Sequence, residues 1–187
     1  MIARIKARAD EVGIRIWSGN NVGYFGPYEH LLYEGNKGAH RGACEAGSSV
    51  LGIEANGDVK GCPSLPTNDY VGGNVRDASL EAIWERSHAL RFTRDQTVSD
   101  LSGFCPTCYY ADECRAGCNF TAHVALGKIG DNPFCHHRAL ALREEGMRER
   151  VVRVAAAPGT PFDHGRFEIV REPWPAPTNE TTSEPPS

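Results

Sequence analysis

The chain has 187 residues, 40% hydrophobic and 24% charged, which suits one compact domain with room for an added supersecondary unit. A net charge of −4 without any basic stripe argues against a nucleic-acid partner. No stretch approaches the roughly 18 apolar residues of a membrane span, and the opening MIARIKARADEVGIRI mixes charge with aliphatics instead of forming a secretory core. No membrane and a reducing cytoplasm are therefore expected.

Ile2, Ile5, Ala9 and Val12 recur at helical spacing, and Gly13 suits the left-handed position that ends a helix. A short strand, Ile14 to Trp17, is expected next, making a helix–strand unit of a larger α/β fold. Residues 18–43 read as loop, with a helical turn near Pro27 to Leu32. In SVLGIEANGDVKGC, residues 49–62, Val50, Ile53 and Val59 flank Asn56-Gly57, a hairpin signal because both turn positions tolerate positive φ. Asp77, Ser79 and Leu80 open a helix, SLEAIWERSHALRF, carrying Leu80, Ile83, Trp84 and Leu90 on one face. After Cys135 a helix is expected to about residue 155. Seven of the twelve prolines lie from Pro158 onward, so the tail from 156 to 187 is expected to be largely disordered, with Phe167–Val170 as its one candidate strand.

The seven cysteines are the informative feature. A secreted disulfide scaffold would show an even count and an export signal, and structural thiols would be scattered singly. Here four fall between Cys105 and Cys118, so metal ligation is the better reading. The pattern runs C-x12-G-x4-C from Cys44 to Cys62, then C-x2-C-x5-C-x3-C over Cys105, Cys108, Cys114 and Cys118, then Cys135. Cys105-Pro106-Thr107-Cys108 is a knuckle that lets two sulfurs reach one centre. Cys114 and Cys118, four apart, would share a helical face. On spacing alone, two zinc sites drawing on His123, His136 or His137 remain open.

The pattern resembles the seven-cysteine signature of the SPASM domain, the auxiliary-cluster module of many radical S-adenosylmethionine enzymes. GIEANGDVKGCPS, VGGNVRDASLEAIW and CRAGCNFTA match its flanking words, over residues 44 to about 138, with a looser match upstream through GYFGPYE. The resemblance implies an α+β fold: a small β-hairpin followed by helices and cluster-binding loops over 44–155. Ahead of it, residues 1–43 would be the last helix–strand unit of a partial α/β barrel plus linker. It also implies two [4Fe–4S] clusters with interleaved ligands: Cys44, Cys62 and Cys118 for the first, Cys105, Cys108, Cys114 and Cys135 for the second. Some family members supply an eighth cysteine to the first cluster; this sequence has none there, so an open iron is expected, with His40 as the candidate replacement.

The C-x3-C-x2-C triplet that anchors the catalytic cluster of radical S-adenosylmethionine enzymes is absent. No catalytic residue is assigned, and this chain alone is not expected to bind or cleave S-adenosylmethionine, which belongs to the complete enzyme. It reads as a fragment, one half of a split enzyme, or a stand-alone module. Among its other residues, Trp84 is expected in the core, Tyr109 and Tyr110 as shields of the second cluster, and Lys60 and Arg115 as offsets to cluster charge or plain solvated surface. His136-His137 more simply starts a helix, and Gly23, Gly26 and Gly38 are turn glycines rather than a phosphate loop.

The leading function is electron transfer and substrate docking in an oxygen-sensitive maturase that modifies a peptide or protein, with a separate barrel chain and an electron donor as further partners. The resemblance covers anaerobic sulfatase maturases and enzymes that tailor ribosomal peptides, without choosing among them. The alternatives are a stand-alone ferredoxin-like carrier or scaffold, and a structural zinc module.

Overall fold

In the computed structural model, residues 2–16, 25–32, 42–159 and 164–175 are described. Helix α1 spans Ile2–Glu11, buries Ala9, and carries the exposed pairs Lys6–Asp10 and Arg8–Glu11. Gly13 at φ 69° ends it. Residues 14–16 form no strand; a strand needs a neighbour for its backbone groups, and none pairs with them among the described residues; Trp17 is outside the described residues. Helix α2 is the turn Glu29–Leu32 expected after Pro27, and it packs on α1.

Strands β1 (Gly52–Ile53) and β2 (Asp58–Lys60) make the expected hairpin, and β3 (Val71–Asn74) completes a three-stranded antiparallel sheet in the order β1-β2-β3. Val59 faces Ile53 on one side and Gly73 on the other. The turn is not the one the Asn-Gly pair predicts. Gly57 donates to the Glu54 carbonyl (2.8 Å) and alone takes a positive φ, 91°. Asn56 acts through its side chain, accepting from the Asp58 N–H at 3.1 Å. The connection is thus a turn followed by a left-handed glycine.

Helix α3 (Thr67–Tyr70) leads into β3, and helices α4 (Leu80–Arg86) and α5 (His88–Asp95) lie against that strand. The helix expected as one piece breaks at Ser87, whose extended backbone (ψ 117°) ends α4 and starts α5. The break turns both Ile83 and Leu90 onto Val59, and these three form the first buried cluster. Gly72 and Gly73 permit this approach, since a Cβ on Gly72 would stand 2.5 Å from Leu90 Cγ. Trp84 is half-buried rather than core, with the Arg94 guanidinium 4.6 Å above its ring.

Helix α6 (Ala111–Cys114) is followed by three successive residues at positive φ, Arg115, Ala116 and Gly117, before α7 (Asn119–Leu126) begins with Cys118 as its cap. Cys114 and Cys118 therefore do not share a helix face. Leu101, Ala111 and Ala116 make a second buried cluster. Helix α8 runs from His136 to Glu144 and stops at Gly146, φ 71°. Residues expected to continue that helix instead form β4 (Met147–Ala155), paired antiparallel with β5 (Arg166–Pro173), Val151 opposite Ile169. Val151, Val152 and Val154 favour a strand once a partner exists, and the partner lies in the segment read as tail. Phe167–Val170 is strand, as anticipated. β4 packs on α8 and β5 on α7, which fixes the hairpin to the cysteine-bearing half. The fold is α+β, and no helix among the described residues is long and apolar enough to cross a membrane.

Candidate metal centre

All seven cysteines are half-buried, and none forms a disulfide. Cys105, Cys108, Cys114 and Cys135 line one open cavity of about 340 Å³ together with Phe104, Ala111, Ala116 and Asn132. Local chemistry places each. A 3₁₀ turn, Cys105–Thr107, brings Cys108 back so that its N–H reaches the Cys105 carbonyl at 3.2 Å. Cys114 closes α6, and Cys135 caps α8, its sulfur accepting from the Arg138 N–H at 3.5 Å.

Burial pushes the Cys105 and Cys114 thiols up to about 12. For Cys114, the neighbouring Cys135, Cys105 and Cys108 add to the effect. Burial raises Cys135 as well. Backbone N–H groups point the other way and prepare each sulfur for negative charge: Asn132 to Cys105, Gly117 to Cys114, Arg138 and His137 to Cys135, and Tyr110 to Cys108 at 3.4 Å.

Cys44, Cys62 and Cys118 belong to a second group. The Cys44 thiol is raised chiefly by burial and further by Cys118 and Cys62, while the N–H groups of Asn119 and Ala46 oppose the shift. The left-handed run Arg115-Ala116-Gly117 separates the groups by sending Cys118 away from Cys114. Asn119, fully buried beside this group, has neither amide atom hydrogen-bonded among the described residues. His40 lies outside the described residues.

Three further features surround the cysteines, and the first and third were not anticipated. The first is a buried ion network. Arg138, 3% exposed, pairs with Asp131 (2.5 Å) and Glu149 (2.6 Å) and donates to the Asn132 carbonyl at 3.2 Å. Burial alone would lower its pKa; the Glu149 hydrogen bond and the Asp131 charge more than reverse that, and Arg138 in turn holds the Glu149 carboxyl below its usual range. Asp131 Oδ1 also accepts from the Cys105 thiol at 3.6 Å, and Arg171 joins Glu149 at 3.0 Å. The network therefore runs from a cavity cysteine to the β4–β5 hairpin.

The second feature is an aromatic cover. Phe25 stacks on Tyr110 at 4.2 Å, and the His137 ring meets Tyr110 and Phe104 edge-on at 5.0 and 6.2 Å. Tyr110 is half-buried next to Cys108 in this stack, whereas Tyr109, expected as a second shield, is 88% exposed. His136 opens α8 and packs against Gly26. The third is Lys60, fully buried, paired with Glu54 at 2.5 Å and donating to the Leu65 carbonyl at 2.8 Å. It clamps the loop that leaves Cys62, and is neither solvated surface nor a free offset to cluster charge. Arg115 bonds to the carbonyls of Asp112 and Thr93.

Adjacent words in the sequence carried a trace of this network, since GDNPFCHHR sets Asp131, Asn132 and Arg138 around Cys135. Nothing local announced Glu149 as their partner.

Among the described residues, no three His, Cys, Asp or Glu side chains converge closely enough to enclose a single metal ion. A tetrahedral zinc would draw its sulfurs to about 3.8 Å of one another, given Zn–S bonds of about 2.3 Å. Four thiols on one cavity wall, each met by backbone N–H groups, have the donor chemistry for an anionic iron–sulfur core.

Comparison with known proteins agrees. Residues 44–119 match SPASM, an iron-sulfur cluster-binding domain. The chain is 30% identical over 153 residues to the mycofactocin maturase MftC of Mycobacterium tuberculosis, covering 78% of this chain and 36% of that protein. The Mycobacterium ulcerans MftC is 31% identical over 154 residues, 76% of this chain and 41% of its own. That of Mycolicibacterium smegmatis is 32% identical over 110 residues, 57% and 27%. The chain thus spans well under half the length of these relatives.

Proposed function

From the premise that this chain carries a SPASM domain over residues 44–119, we propose that it is the auxiliary-cluster module of a radical S-adenosylmethionine maturase acting on a peptide or protein. It would hold two [4Fe–4S] clusters, one on Cys44, Cys62 and Cys118, the other on Cys105, Cys108, Cys114 and Cys135. The observation that carries the reading is the cavity with four thiols on its wall. The separate grouping of Cys44 with Cys62 and Cys118 supports it.

Such clusters supply one-electron transfer. The chain's own residues do the rest. Backbone N–H groups of Asn132, Gly117, Arg138 and His137 accommodate thiolate charge on the second set. Phe104, Tyr110 and His137 exclude water from one side, which bears on reduction potential. Three protein sulfurs on the first set leave one position to the substrate or to another ligand, a docking role. Residues 1–43 belong, in the same proposal, to the end of a barrel in the complete enzyme, with the cytoplasm as the compartment. The mycofactocin maturases support a maturase role without naming this chain's substrate.

The test is metal content. Anaerobic reconstitution should give about eight irons and as many sulfides per chain, with a broad absorption band at the edge of the visible. One or two zinc ions without sulfide or colour would replace this proposal with the structural zinc module.

A further inference from the structure

We propose that the Asn132 side chain donates a hydrogen bond from Nδ2 to a sulfur of the cluster held by Cys105, Cys108, Cys114 and Cys135, and thereby raises that cluster's reduction potential. The proposal rests on the cluster assignment above.

Asn132 is 1% exposed and lies on the cavity wall with the four cysteines. Its other polar groups are engaged. The main-chain N–H serves Cys105, and the carbonyl accepts from Arg138 Nη1 at 3.2 Å. Oδ1 accepts from the Phe134 N–H at 3.0 Å, which settles which end of the amide is oxygen. Nδ2 remains, buried and without any hydrogen-bond partner among the described residues. A buried donor left so carries its full desolvation penalty, and native structures rarely retain one without a use.

Water is a poor candidate for the missing acceptor. A buried water needs several polar partners, while the rest of this wall is Phe104, Ala111, Ala116 and thiols. A cluster sulfur is the acceptor that chemistry supplies. It gains negative charge on reduction, so the hydrogen bond strengthens in the reduced state and favours it. Asn119 invites the same argument at the other group, but among the described residues both of its amide atoms lack a hydrogen-bond partner to orient them.

The experiment is a potentiometric titration of the full reconstituted chain, followed by electron paramagnetic resonance under anaerobic conditions. Cys108→Ser, which should lose the second cluster, identifies which of the two midpoint potentials belongs to it. Asn132→Leu removes the donor without adding charge; Asn132→Asp keeps the acceptor for Phe134 and the shape. Both should retain iron and sulfide while that one potential falls. A tenfold loss in the reduction equilibrium, about 59 mV for one electron, is expected for leucine, and more for aspartate.

The other cluster's potential should hold in both variants. Unmoved potentials, or equal movement of both clusters, with full metal content would overturn the role of Asn132. If Asn132→Leu sheds its iron, the smaller, uncharged Asn132→Ala takes its place as the deciding variant, since aspartate lowers the potential by its charge as well. Wild-type chain without iron and sulfide would refute the cluster assignment itself, a distinct outcome.

Discussion

Removing the Arg138 guanidinium should damage the fold out of proportion to one side chain. The residue is 3% exposed, and its charge is met by Asp131 at 2.5 Å and Glu149 at 2.6 Å. Asp131 is itself 5% exposed, so Arg138→Ala strands at least one buried carboxylate. Breaking a buried pair in this way costs about 3–5 kcal/mol. Arg171 still attends Glu149, which places the loss toward the lower end. With a urea slope of about 2 kcal/mol per molar, the unfolding midpoint should fall by about 1.5 M. The assay is urea denaturation of reconstituted protein, read by far-ultraviolet circular dichroism and by visible absorption of the clusters. Arg148→Ala is the control: that arginine is half-exposed and pairs with Glu172 on the hairpin surface, so its removal should cost under about 1 kcal/mol. Arg138→Met combined with Asp131→Asn removes both charges and should recover part of the loss. Equal midpoint shifts for Arg138→Ala and Arg148→Ala would show that the buried network does not hold the hairpin to the cysteine-bearing half.

Ligation should release protons, because burial keeps Cys105 and Cys114 protonated at neutral pH with pKa values near 12. Binding of cobalt(II) to the apo chain, followed by its thiolate charge-transfer band, should therefore tighten as pH rises, at least about tenfold per unit; a flat profile from pH 7 to 8.5 contradicts this. Cys62→Ser and Cys108→Ser should each cut the iron content to about four, and the double variant should bind almost none. If either single change empties both sites, the two groups are not separate clusters. Gly103→Ala should destabilise by about 2 kcal/mol or more in the same urea assay, since the residue sits at φ 62° and its Cβ would stand 2.1 Å from Asp131 Oδ2. A stability within about 0.5 kcal/mol of wild type would mean that Asp131 moves aside freely.

What could be read from the sequence depended on how local the cause was. The β1–β2 hairpin, the α2 turn and the starts of α1, α4 and α8 follow from residues a few positions apart, and all appear. The end of α8 did not, although Gly146 marks it. Residues 147–155 have no strand character until Arg148 and Glu149 find Glu172 and Arg171 across the ladder, some twenty residues away in a proline-rich segment. The same holds for Ile14–Ile16, where strand-like residues lack a neighbouring strand among the described residues. Lys60 was misjudged for a related reason. Its burial is set by Glu54 and by the carbonyls of Pro63 and Leu65, which only the folded loop gathers.

The partition of the cysteines turns on one short segment. A spacing of four between Cys114 and Cys118 ordinarily means one helix face, and helical reasoning would have placed both sulfurs on one centre. Three consecutive left-handed residues prevent that, and only the last is glycine. For Arg115 and Ala116 the conformation costs about 1–2 kcal/mol each. Ala116 offsets part of this by packing against Leu101 and Ala111 beneath the cavity, and Arg115 by bonding to the Asp112 and Thr93 carbonyls. The Gly117 N–H, presented by the same turn, also reaches the Cys114 sulfur. One strained turn therefore aims Cys114 at the four-thiol cavity and Cys118 at Cys44, and also supplies a donor to one of those sulfurs. A rigid connection of this kind ties the two groups mechanically. The turn thereby fixes where each group stands while leaving each its own sulfurs, so that one set can be emptied with the other still filled.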